Sequence, residues 1–184
     1  MTSTAAKTLL KRMGLLCAVL TLSACMGRDL APEAANSSIF GGIDSERQQM
    51  ALLEASQKRA KGQRVWCVPF ARTASGVALR GDAKTWWNSA AGNYERGNQP
   101  RPGAVMAFAA TRKMSRGHIA VVSEVVSERE IRINHANWIK NKVQLDMKVV
   151  DISPKNDWTS VKVERVAGEM GKSSYPINGF IYPN

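Results

Sequence analysis

The hydrophobic period of this chain changes once, near residue 100, and that change limits the fold more than any other feature. Before it, apolar residues recur at helical spacing. Cys67, Val68, Phe70, Ala71, Ala74, Val77 and Ala78 make one stripe, as one face of a 3.6-residue period requires. Pro69 is compatible with that helix only in its first turn, where its missing N–H would have no partner anyway. Cys67 is therefore expected at the helix start. Gly76 lies inside the pattern, where a close approach of a neighbouring element is expected. A helix from Ser45 to about Lys61 is expected to open on a Ser45-x-x-Gln48 capping box, with Met50, Leu53 and Ala60 as its stripe. A short third helix covers Asp82 to Ala90. After residue 100 the period becomes that of strands: Ala104 to Ala109, His118 to Val126, Glu130 to Asn134, Ser160 to Val166, and a closing Gly179 to Tyr182. Helices first and strands after predict an α+β fold with an antiparallel sheet.

The first 24 residues do not belong to that fold. Lys7, Lys11 and Arg12 precede a short apolar run from Met13 to Leu22. The run is too short to span a bilayer, which takes about 20 apolar residues. A charged start, a short apolar stretch and small residues at its end read as a secretory signal. Leu22-Ser23-Ala24-Cys25 resembles the lipobox of bacterial lipoproteins, which implies cleavage before Cys25 and a lipid on its sulfur. Residues 25–43, rich in Ala, Gly, Ser and Pro, read as a tether, and 44–184 as one domain. With 44% apolar residues, the chain can build a core. Losing the three cations of the signal takes the formal charge from +11 to +8. A basic exported domain suits an anionic partner or is simply soluble. No aromatic-basic interleaving or nucleic-acid motif accompanies the charge, so nucleic acid is not an expected partner.

Cysteine use narrows the chemistry. Cys17 leaves with the signal, and a lipidated Cys25 leaves Cys67 as the one remaining thiol. An unpaired cysteine in an exported protein is either buried and inert or reactive; without lipidation, a Cys25–Cys67 disulfide is the third option. A helix start and a nearby histidine both activate a thiol. The chain has two histidines, His118 and His135, each at the end of an expected strand. If those strands are neighbours, both rings can face one cleft with Cys67. A histidine at a strand end is, on spacing alone, more often an ordinary polar residue. Asn134 and Asn137 beside His135 are equally readable as turn formers. Trp66, Trp86 and Trp138 are candidates for substrate contact, although Trp86-Trp87 also suits core or lid packing. Two histidines without a fitting carboxylate cluster do not make a zinc site, so neither metal nor cofactor is expected.

Five segments in order resemble the CHAP family. Val65-Trp66-Cys67-Val68-Pro69-Phe70-Ala71-Arg72 is similar to its cysteine helix, and Gly81-Asp82-Ala83-Lys84-Thr85-Trp86-Trp87 to its Gly-x-Ala-x-x-Trp-Trp element. Pro102-Gly103-Ala104-Val105, with Pro100, resembles its lead into the sheet. Gly117-His118-Ile119-Ala120-Val121-Val122 is similar to its histidine strand, and Ile133-Asn134-His135-Ala136-Asn137-Trp138 to its last catalytic strand. Gly179-Phe180-Ile181-Tyr182-Pro183 resembles its closing segment.

The resemblance implies a papain-like fold and a cysteine amidohydrolase or peptidase. Cys67 would be the nucleophile and His118 the base. The family's third and fourth polar positions fall on His135 and Asn137. Many members have glutamate where this chain has His135; a histidine there is similar to the related NlpC-like peptidases, in which it orients the first. Trp66 stands where many members have glutamine, so the oxyanion hole rests on the Cys67 N–H and a second, unassigned donor. The implied substrate is peptidoglycan, cut at the sugar–peptide amide or within the peptide. The implied place is the cell envelope, at the outer membrane through Cys25, since Met26 is not an aspartate retention signal. Such an activity needs restraint, which leaves room for an activator among its partners. Two other readings fit the same residues: an amidase for another amide, such as a peptide–polyamine conjugate, and an inactive envelope-binding module.

Overall fold

A computed structural model describes residues 43–184. The expected signal segment, Cys25 and all of the tether but Ile43 lie outside them.

Helix α1, Ser45–Ala60, is capped by Asp44, whose carboxylate accepts the N–H groups of Glu46 at 3.0 Å and Arg47 at 3.1 Å. The expected Ser45 capping box is thus corrected by one residue. A carboxylate at the positive end of a helix is the stronger acceptor, and Gln48 is freed to receive Asn134 Nδ2 at 2.6 Å. The buried face is also different from the expected stripe. Ala51 and Ala55 point inward, whereas Met50 and Leu53 are 50% and 59% exposed and Ala60 is exposed. Small residues let α1 approach α2, Cys67–Ser75, whose Phe70, Ala71 and Ala74 join the same core. Gly76 ends α2 in a left-handed conformation (φ 78°), so Val77 and Ala78 lie beyond the helix. A Cβ at Gly76 would meet the Arg47 guanidinium at 3.0 Å, the close approach that the sequence pattern suggested. The third helix, α3, spans Ala83–Ser89.

Seven strands follow: β1 (Arg96–Gly97), β2 (Val105–Phe108), β3 (His118–Ser127), β4 (Glu130–Ala136), β5 (Val143–Asp151), β6 (Ser160–Val166) and β7 (Glu169–Ile181). Their order is β1-β7-β2-β3-β4-β5-β6, and every pair is antiparallel. β6 also pairs with β7, so β7-β2-β3-β4-β5-β6 closes on itself as a barrel. β5 was not expected, although Val143, Leu145, Met147 and Val149 carry the alternation of a strand. β7 begins ten residues before the expected closing strand at Gly179; its first half is largely exposed, so it has no apolar period to read.

Strand alternation divides the core in two. Val105, Ala107, Ile119, Val121, Ala136 and Ile181 pack with residues of all three helices. Met106, Phe108, Ala120, Val122, Ile131, Ile133 and Phe180 fill the barrel with Trp158. The fold is α+β, with three helices and a closed antiparallel sheet among the described residues.

Candidate active site

Cys67 is the first residue of α2, behind an extended Trp66 (φ −122°, ψ 151°) that offers no side-chain cap. The first-turn N–H groups of α2 therefore lack side-chain acceptors and face the sulfur's surroundings. The thiol is half-buried and not in a disulfide. Burial raises its pKa above the ordinary thiol value. Backbone N–H groups of Ile119, Val68 and Cys67 itself oppose that rise, and the nearby Asp82 carboxylate adds to it.

His118 opens β3 and His135 lies near the end of β4. Val121 pairs with Asn134 and Val122 with Ile133. Every second residue shares a face, so His118 and His135 both project to the barrel side, with Ala120, Val122 and Ile133. They meet there: His118 Nε2 is 3.1 Å from His135 Nδ1. The rings are buried, with residue exposures of 5% and 0%. Trp138 stacks on His135 at 5.5 Å and lies 5.0 Å from the His118 ring, and Phe108 meets His118 edge-on at 5.5 Å. This apolar surround pushes the His118 pKa down to about 3 and that of His135 well below the usual imidazole value, the latter also by repulsion from His118. Both rings are neutral at ordinary pH, with no carboxylate bonded to either among the described residues.

The single bond between the rings constrains their tautomers. If His118 is to accept a proton from the thiol, its free nitrogen must be Nδ1, with hydrogen on Nε2. His135 Nδ1 is then the acceptor and His135 Nε2 carries hydrogen. That Nε2 is buried and has no partner among the described residues. The site can thus relay orientation from His135 to His118, with neutral imidazole as the acceptor.

The other expected site residues divide. Trp138 covers the histidine pair and lines the cleft, and Trp66, 40% exposed, lines it beside Cys67 with the Arg64 guanidinium 4.1 Å from its ring centroid. Trp86 is corrected: it is fully buried between helix and sheet and does not reach the cleft. A mid-helix indole facing the sheet has no route to a ligand. Asn137 reaches the cleft wall, but its role differs from ring orientation. Its Oδ1 accepts the Asn141 N–H at 2.9 Å and the Arg64 Nε–H at 3.4 Å, with φ at 64°. It shapes the β4–β5 turn and bonds neither imidazole.

Two asparagines that sequence reasoning left without a site role position the others. Asn141 Oδ1 accepts the Val65 N–H at 2.8 Å, tying the approach to Cys67 to the turn that follows His135. Buried Asn134 joins Gln48 of α1 and accepts the Asp146 N–H at 2.7 Å. Asn134 beside His135 was visible as a polar residue within a strand. Asn141 had no sequence signal beyond its turn composition.

Cys67, His118, Trp138 and Asn137 open on one cleft of about 1060 Å³. Among the described residues, no three His, Cys, Asp or Glu side chains gather as metal ligands. A neutral imidazole near a thiol at a helix start can move the thiol proton as a bond to sulfur forms. The model of the family described as CHAP domain matches residues 58–137. No curated protein and no solved structure matches the chain. Cys67, His118, His135 and Asn137 all fall within the matched span, over which the chain is similar to the CHAP domain.

Proposed function

We propose that the protein is a cell-wall hydrolase that cleaves an amide of peptidoglycan through a Cys67 acyl-enzyme. The CHAP match carries the reaction class, that of cysteine- and histidine-dependent amidohydrolases and peptidases. The observation that supports the residue roles is the His118–His135 bond at 3.1 Å, with His118 lining the same cleft as the one described thiol, Cys67. In this reading the Cys67 sulfur attacks the carbonyl carbon and its proton passes to His118 Nδ1. The imidazolium gives that proton to the leaving nitrogen as the C–N bond breaks, leaving a thioester. Water then attacks the thioester, a proton returns through His118, and the thiol is restored. The first-turn N–H groups of α2 face the developing oxyanion. His135 positions His118, and its bond strengthens as His118 becomes charged. Trp66 and Trp138 flank the substrate.

Breadth and charge favour a wall polymer over a small peptide–polyamine conjugate. The cleft is large, and the cations Arg112, Lys113, Arg116 and Lys172 line it; a polyamine would be repelled. Residues 22–25 add the expectation of export and of a lipid anchor at Cys25, which would hold the enzyme beside an insoluble substrate, at the outer membrane. A second reading, an inactive module or a resting form awaiting an activator, draws on the raised thiol pKa and neutral histidines.

Digestion of purified peptidoglycan, with Cys67→Ala alongside and products read by mass spectrometry, tests the proposal. Fragments that vanish in the variant are expected, and their masses identify the bond. No fragments, with a thiol that still reacts with iodoacetamide, would move the enzyme to another amide. No fragments and an inert thiol would support the second reading.

A further inference from the structure

Of the residues lining the cleft, Arg112, Lys113, Arg116 and Lys172 are cationic and Asp82 is the sole carboxylate. All four cations are exposed. None takes part in the ion pairs found among the described residues, which use other residues throughout. An unpaired set of like charges around a concave surface raises the local concentration of anions there.

The placement is fixed by backbone structure. Arg112, Lys113 and Arg116 lie on the β2–β3 loop, directly before His118. Thr111 and Met114 exchange N–H···O bonds of 3.1 Å, Gly117 N–H reaches Met114 O at 2.9 Å, and Lys84 N–H reaches Arg116 O at 2.8 Å. Gly117 has φ 67°, and a Cβ there would stand 2.8 Å from the Lys84 nitrogen. The loop is therefore seated on the start of α3. Lys172 arrives separately, from β7. Two distant segments converge on the cleft with the same charge, while Trp66 contributes an aromatic surface from the α2 side.

We infer that this basic rim is an anion subsite, which selects substrates bearing free carboxylates close to the bond presented to Cys67. The inference rests on Cys67 as the reacting atom of the cleft and deepens the hydrolase reading. It predicts discrimination between a carboxylate and its amide, a distinction that a surface charge spread for solubility would not make.

Alkylation of Cys67 in the full chain tests this without any hydrolysis. Iodoacetate and iodoacetamide differ in one charge. Their rate ratio at Cys67, near pH 9, is compared with that of N-acetylcysteinamide, a neutral free thiol. The expected iodoacetate/iodoacetamide ratio is roughly tenfold higher at Cys67. It should fall to the free-thiol value in a variant with Arg112, Lys113, Arg116 and Lys172 all changed to Gln. It should fall likewise in about 1 M sodium chloride, where the screening length drops to about 3 Å. The exposed positions make folding of the variant expected; circular dichroism checks it, and Arg116→Gln and Lys172→Gln singly give intermediate ratios. A wild-type ratio equal to that of the free thiol, or one unchanged by all four substitutions, overturns the subsite. Should Cys67 take neither reagent, calorimetric titration with citrate decides instead: binding lost in the variant supports the subsite, and no binding to the wild type overturns it. Failure of the hydrolase reading shows separately, as undigested peptidoglycan with the ratio still raised.

Discussion

His118 and His135 share one hydrogen bond, Nε2 to Nδ1 at 3.1 Å, beneath the Trp138 indole. Burial of the pair, more than the bond itself, favours uncharged rings. A carboxylate partner would favour imidazolium, whereas a buried neutral imidazole does not. The raised Cys67 pKa and the lowered His118 pKa both favour the uncharged thiol and imidazole.

Thiol reactivity should show this directly. The Cys67 pKa is raised and that of His118 is lowered to about 3. Iodoacetamide labelling is therefore expected to climb with pH through the alkaline range. A plateau beginning between about pH 4 and 6 would show a thiolate–imidazolium pair and refute the neutral resting state.

The same burial makes stability depend on acid. An unfolded histidine titrates near 6.5, whereas His118 holds no proton until about pH 3. Between these values the unfolded chain binds more protons, so stability present above about pH 6.5 is lost as pH falls toward 3. Urea midpoints at pH 7 and pH 4.5 should differ in that direction. His118→Gln should flatten the dependence, and an equally steep one in the variant would point to other groups.

Cys67→Ser should reduce amide hydrolysis by on the order of 10³-fold or more, because a hydroxyl with a neutral imidazole is a far weaker nucleophile. Circular dichroism and the thermal midpoint should stay near wild type. Comparable turnover in the variant would remove Cys67 from the reaction.

His135→Glu places a carboxylate against His118. If the fold persists, the His118 titration should move upward from about 3, seen by ring NMR signals and as a shifted acid limb of kcat/KM, with activity equal to wild type or higher. Unfolding would instead identify His135 as a packing residue, and an unmoved titration would mean that the carboxylate does not reach the ring.

Asn141 holds the Val65 N–H at 2.8 Å, with φ at 61°. Asn141→Ala should cost about 1–3 kcal/mol through a lost bond and a strained left-handed residue. Asn141→Gly removes the bond and keeps the conformation. If the bond positions Cys67, both variants lose kcat with KM nearly unchanged, whereas a purely conformational role would spare the glycine variant.

The order of helices and strands, Cys67 at a helix start and two histidines at strand ends were legible because each is a local property. Periodicity reports which side chains share a face, and Pro69 with Gly76 nearly brackets α2. Local signals also misled. Met50 and Leu53 gave the stripe of α1, but the alanines packed, since helix–helix distance is set by the partner. Trp86 looked available and is buried. The first half of β7 has no apolar period because one side faces water.

By itself, then, the sequence determined the α+β character, the candidate nucleophile and base, and the resemblance that names the reaction class. Tertiary structure alone decided which nitrogen meets which, that Asn137 serves the turn rather than a ring, that Asn141 tethers the approach to Cys67, and that cations from two distant segments share the cleft of Cys67. Those facts depend on strand register, barrel closure and burial, which arise only when residues far apart in the chain are brought together.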